Sequence, residues 1–171
     1  LLGELADRRK AEARKKCEAL SREQNILDVF YKQLIRSGFV GEERAVKLVY
    51  LALTTRVLDK LVSITLKGPS SCGKSFIVDS VAKFFPSSAY IEFTAMSDRT
   101  LAYSPETYEH RFLIIYELAG IQSEMATYLV RSLMSEGRII YEFVDKTKDG
   151  LKSRRIEKEG PTGLLITTTS L

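Results

Sequence analysis

Tryptophan is absent from the 171 residues, histidine occurs once, at His110, and cysteine only twice, at Cys17 and Cys72. A single histidine argues against a zinc site or a histidine relay, and it reads as a partly exposed residue ahead of a strand. Cys17 lies in a charged N-terminal stretch and Cys72 in a glycine-bracketed loop, a setting that predicts two free thiols and a reducing compartment. No apolar run approaches the length of a membrane span, and no signal-peptide core is visible, so neither insertion nor secretion is indicated and the expected location is cytoplasmic. Repeats and low-complexity tracts are missing too. Positive charge exceeds negative by only four, 26 Lys and Arg against 22 Asp and Glu. That surplus permits a polyanionic partner without requiring one.

What is present is an ordinary globular composition, 44% apolar, in a chain long enough for one domain with a proper core. Basic residues crowd the first segment at Arg8, Arg9, Lys10, Arg14, Lys15 and Lys16, with Glu4, Asp7 and Glu12 interleaved at helical spacing. That pattern predicts a solvated helix. A second basic group spans Arg138 to Lys158.

The strongest local signal is Gly68-Pro69-Ser70-Ser71-Cys72-Gly73-Lys74-Ser75, a complete G-x-x-x-x-G-K-[ST] pattern. It follows the apolar run 61–66 and precedes Phe76-Ile77-Val78, with Val81, Ala82 and Phe84 continuing a helical apolar face. Strand, loop and helix are the context this phosphate-binding motif needs. Two glycines let backbone N–H groups of about Ser71 to Lys74 converge on a phosphate chain with no Cβ in the way. The helix N-terminus adds its positive dipole end. Lys74 is expected between the β- and γ-phosphates, and the Ser75 hydroxyl on Mg²⁺. The nucleotide-binding candidates are therefore Gly68 to Phe76, and the expected ligands are ATP and Mg²⁺.

Elsewhere, Ser21-Arg22-Glu23-Gln24 has capping-box form ahead of Leu27, Phe30, Tyr31 and Leu34, and Ser37-Gly38 closes that helix. A helix after Gly41 puts Val46, Val49, Tyr50, Leu53 and Val57 on one face. A strand is expected near 89–94, an irregular or short helical stretch over 96–108, and a strand from Arg111 to Tyr116 that ends on Glu117. An acid at the carboxyl edge of a buried strand can reach Mg²⁺ or an attacking water. The competing structural reading is that Glu117 merely ends a strand. A helix over about 122–135 follows, then two strand-like runs around the polar tip Asp145 to Gly150, which reads as a β-hairpin, and a last strand from Leu164 to Thr169.

In this order the parts resemble the AAA+ ATPases over about Val46 to Leu171. The implied fold is an α/β P-loop NTPase of three layers: a parallel central sheet with helices on both faces, N-terminal helices over 1–40 and an inserted hairpin in a core over 41–171. The hairpin before the last strand looks like the pre-sensor-1 hairpin of MCM-type and viral helicases. The wording around it looks like replication ATPases of phages and mobile elements. The resemblance implies Glu117 as catalytic glutamate and Thr169 as the sensor residue, with Thr168 and Ser170 as neighbours. It also implies Lys146 and Lys148 on single-stranded DNA and a homo-oligomeric ring, a hexamer. The family's second signature usually reads Asp-Glu, whereas this chain has Tyr116-Glu117. Glu117 therefore either polarises water or stands in for the missing Asp by holding Mg²⁺ through water. The chain opens on Leu1 and ends on Leu171, which predicts a piece cut before the arginine finger and lid that the resemblance implies.

Three functions fit: a DNA helicase or helicase-loader motor, a nucleotide-dependent switch or scaffold with weak ATPase, and a P-loop kinase for a small molecule. The kinase fits least, because no set of substrate-binding arginines follows the loop helix. For the hairpin lysines the bland alternative is a solvated turn that discourages edge pairing.

Overall fold

The computed structural model describes residues 2–97, 99–117, 123–147 and 150–169. The chain divides into two compact units, Leu1–Val40 and Gly41–Leu171.

In the first unit, helix α1 (Leu2–Ser21) leaves its described side chains in solvent, as the interleaved charges predict. Helix α2 (Ile26–Arg36) closes at Ser37, with Gly38 at φ +91°. The expected capping box does not form. Ser21 is the last residue of α1 and its hydroxyl donates to the Glu18 carbonyl at 2.9 Å, while Glu23 accepts from the Asn25 N–H at 3.2 Å. A Ser held in helical geometry back-bonds to the preceding turn and cannot cap the next helix.

The second unit runs α3 (Glu43–Thr54), β1 (Ile64–Lys67), α4 (Lys74–Ala82), β2 (Tyr90–Phe93), α5 (Thr100–Tyr103), β3 (Arg111–Ile115), α6 (Glu124–Glu136), β4 (Ile139–Thr147), β5 (Gly150–Lys158) and β6 (Thr162–Thr168). Four strands form a parallel sheet in the order β1-β6-β3-β2. The last strand of the chain therefore enters between the strand before the glycine loop and the strand before Glu117. Burial follows position. Every residue of β6 is buried, as are Phe112 to Ile115 of β3, because both faces of a central parallel strand are covered. The outer strands β1 and β2 are only partly buried.

Leu113, Ile115, Leu164 and Ile166 share a core with Leu129, Val130 and Leu133 of α6, Leu101 and Ala102 of α5, and Ile139 and Tyr141 at the hairpin base. Ser123 caps α6 and Gly137 ends it at φ +68°. Val46, Val49 and Leu53 of α3 are buried as predicted, but Val57 is 71% exposed. The helix tightens into a 3₁₀ turn at Thr55–Val57, and the changed period rotates Val57 off the apolar stripe. Helix α4 stops at Ala82, so Phe84 falls outside it and is 42% exposed.

Strands β4 and β5 pair antiparallel from Ile139↔Lys158 to Thr147↔Gly150. The face carrying Ile139, Tyr141 and Ile156 packs into the core. Lys158 Nζ ties the base to the chain after α5, donating to the Ser104 and Glu106 carbonyls at 2.5 and 3.1 Å. Among the described residues no helix is long and apolar enough to cross a membrane.

Candidate functional site

The glycine loop leaves the carboxyl end of β1 and enters α4 at Lys74, with Gly73 as the residue before the helix. Gly73 has φ +86°, a left-handed conformation that strains any residue with a Cβ. Gly68 is close-packed rather than strained: a Cβ there would lie 2.9 Å from the sulfur of the exposed Cys72 side chain, which would have to shift. Ser71 also turns left-handed, at φ +61°. The Gly68 N–H donates to the Thr168 carbonyl at 3.2 Å, which ties the loop to β6. Lys74 folds back over the loop, and its ammonium donates to the Gly68 and Pro69 carbonyls at 2.8 and 2.7 Å.

Glu117 lies at the tip of β3 and is itself left-handed, at φ +57°. Hydrogen bonds to β6 and the residue after it hold it there. Its N–H donates to Thr167 Oγ1 at 2.9 Å, and its Oε1 accepts from the Thr169 N–H at 3.2 Å and from Thr169 Oγ1 at 3.1 Å. Insertion of β6 between β1 and β3 brings these groups together. Ser70, Ser71, Gly73, Lys74, Ser75, Phe76, Tyr116, Glu117 and Thr167 line one cleft of about 360 Å³. A larger hollow of about 580 Å³ lies at the opposite, amino end of the strands, around Ser63 and Thr162. None of the motif residues line it, and the smaller cleft has the chemistry.

The Tyr116 phenol donates toward Asp79 Oδ1 at 2.5 Å and lies 3.0 Å from Glu92 Oε1. Burial, then the hydrogen bond to Asp79 and the charges of both acids, push this phenol above the ordinary tyrosine range, so it stays a donor. Tyr116 is thus no metal-contacting acid. Ser75 and Glu117 offer hard oxygen donors in the same cleft, a set that fits Mg²⁺ carried in by phosphates and keeping several of its waters. Among the described residues no cluster of three His, Cys, Asp or Glu could hold a metal by itself.

The remaining candidates lie elsewhere. Lys146 is exposed on the hairpin and does not line the cleft; Lys148 and Ser170 fall outside the described residues. The register puts Lys146 opposite Leu151, on the hairpin face that also carries Val144 and Ile140. His110 is partly buried, its Nδ1 2.8 Å from the Arg56 carbonyl. Sequence reasoning missed Thr167, Asp79 and Glu92. Thr167 was hidden in a threonine run where only strand pairing says which side chain faces Glu117. Asp79 had a signal: it stands four residues after Ser75, on the same side of one helix.

No protein-family model matches this chain, and no curated protein matches it in sequence. Among solved structures, NtrX from Brucella abortus in complex with ADP is similar at 10% identity with a TM-score of 0.45, over 90% of this chain and 36% of that one. The chain thus spans little more than a third of that protein. A likeness this slight leaves the functional reading to the cleft. What fold and cleft define is a parallel α/β domain with a glycine-loop cleft at the carboxyl edge of its sheet.

Cys17 and Cys72 are both free and exposed, which makes one the internal control for the other. Alkylation by iodoacetamide is expected at both in the empty protein, with saturating ATP protecting Cys72 alone. Equal labelling of Cys72 with and without nucleotide counts against phosphates at this loop.

Proposed function

We propose that this domain binds ATP with Mg²⁺ and hydrolyses it, as the motor of an AAA+ type ATPase. One observation carries the reading: the Lys74 ammonium and the N-terminus of α4 share a cleft with a Glu117 carboxylate that is hydrogen-bonded through Thr169. Phosphoryl transfer to water needs positioning and charge stabilisation more than covalent chemistry. Backbone N–H groups at the start of α4 and Lys74 supply charge for the β- and γ-phosphates. Ser75 is the residue to hold the metal, with Glu117 reaching it through water only; when bound, the metal would neutralise developing charge on the phosphates. Glu117 orients and deprotonates water, and Thr169 holds its carboxylate in place.

The finer reading is a helicase or helicase loader assembled as a hexameric ring, with Lys146 and Lys148 of the hairpin on single-stranded DNA. Support for it is the ribbon itself, which is anchored by Lys158 and by Tyr141 and Phe143 against Tyr103 of α5, while Val144, Lys146 and Leu151 remain exposed. Replacing Lys146 and Lys148 together by Ala is expected to weaken single-stranded DNA binding. The slope of log affinity against log salt should fall by roughly 0.7 for each phosphate no longer neutralised. ATP affinity should stay at its wild-type value. Wild-type DNA affinity and salt slope in that double variant would remove the hairpin from the mechanism.

A second reading, a switch that binds ATP and turns it over poorly, is favoured by Tyr116, which puts a tethered phenol where an acid is usual. ATPase rates with and without single-stranded DNA separate the two. DNA-stimulated turnover supports the motor, and binding without turnover supports the switch.

A further inference from the structure

Glu117 lines the cleft with its carboxylate and is held in a left-handed conformation, at φ +57°. A non-glycine residue in the left-handed region is strained and persists only where its surroundings over-determine it. The threonines of the β6 edge hold Glu117 from one side, through Thr167 Oγ1 and Thr169. On the other side stands Tyr116, whose peptide N–H donates to the Phe93 carbonyl at 3.0 Å and whose hydroxyl reaches two acids on two different elements. Asp79 is on α4, the helix that begins with Lys74 and Ser75, and Glu92 is on β2.

We infer that Tyr116 is a positioning residue: its hydroxyl, held by Asp79 and Glu92, fixes the left-handed backbone at Glu117 and ties that carboxylate to the helix carrying Lys74 and Ser75. The hydroxyl is the only atom of Tyr116 that makes these bonds. Its one proton goes to Asp79 at 2.5 Å, which joins α4 to the tip of β3, with Glu92 of β2 3.0 Å from the same oxygen, and a carboxylate at position 116 would have no proton to donate. The inference rests on the ATP-hydrolysis reading above, with Glu117 activating water. Displacing a reacting group by about 1 Å costs roughly 100-fold in rate.

The test uses the whole protein and four variants, Tyr116→Phe, Asp79→Ala, Asp79→Asn and the Tyr116→Phe/Asp79→Ala double. It measures kcat and KM for ATP, affinity for a fluorescent ATP analogue, and thermal melting. Tyr116→Phe and Asp79→Ala should each lower kcat by roughly 10- to 100-fold, with analogue affinity held. Residues in one network are non-additive, so the double variant should fall no further than either single. Asp79→Asn keeps an oxygen that accepts the phenolic proton and should recover much of the loss. Asp79 is exposed, so its truncation leaves the core intact and supplies the result even where Tyr116→Phe fails to fold. Wild-type kcat in both single variants, or losses that add in the double, overturns the inference while leaving the site reading in place. A wild-type protein that fails to bind the analogue overturns the site reading and the inference together. One that binds without turnover also overturns the inference, because Tyr116 then has no reacting geometry to hold.

Discussion

Lys74→Ala is expected to weaken ATP binding by roughly 100-fold or more, so that little is bound at concentrations that just saturate the wild-type protein, as measured by equilibrium titration. The ammonium already lies within 2.8 Å of the Gly68 carbonyl and 2.7 Å of the Pro69 carbonyl. A triphosphate entering the cleft meets one positive centre at the loop itself, whose N–H donors exchange the two loop carbonyls for phosphate oxygens. Each charge-assisted hydrogen bond contributes about 1.5–3 kcal/mol, so losing two weakens binding by roughly 100-fold or more. The same change should not unfold the domain. A positive charge at a helix N-terminus opposes the dipole, and Ala is the better helix former, so these gains offset the two missing bonds to loop carbonyls, one exposed and one part-buried. Weakened binding with an unlowered melting temperature assigns the effect to the site. Unchanged affinity would remove phosphate binding from the loop.

The strand, loop and helix around the glycines were legible in sequence because the motif's spacing carries a local demand, met at Gly73 by a left-handed turn before α4. Central strands were legible for a related reason, since Phe112 to Ile115 and Leu164 to Ile166 are unbroken apolar runs and both of their faces are buried. Boundaries were less so. The stretch 61–66 reads as a strand, yet pairing starts only at Ile64, where β6 first lies alongside. The capping box at Ser21 failed because α1 runs up to Ser21, whose hydroxyl bonds back to the Glu18 carbonyl instead of capping α2. Least visible were hydrogen bonds made across the sheet. Glu117 and Thr169 are 52 residues apart in sequence, and only the order β1-β6-β3 makes them neighbours. Tyr116 looked like a defect in a signature. In the fold its hydroxyl has two partners, one on a helix and one on a strand, and neither is near it in sequence.

Glu117→Gln should preserve ATP binding and stop its hydrolysis. The substitution suits the geometry, because Glu117 is held through one oxygen only: Oε1 accepts from both the N–H and the hydroxyl of Thr169. Glutamine keeps an oxygen that can accept the same two bonds, and its backbone N–H still donates to Thr167 Oγ1. What changes is the second oxygen, replaced by an NH₂ group that neither carries charge nor accepts a proton from water. Loss of a general base typically lowers rate by about 10²–10⁴-fold. Turnover should therefore fall by that much while the titration curve for ATP and the melting temperature stay where they were. Thr169→Val gives the converse case. It removes the hydroxyl but not the N–H, so Glu117 keeps its charge and loses one of two tethers, and the fall in kcat should be smaller than for Glu117→Gln. If Glu117→Gln turns over ATP at the wild-type rate, Glu117 does no more than end β3. The left-handed backbone and its threonine partners would then serve packing alone, and the water-activating acid would have to come from another residue.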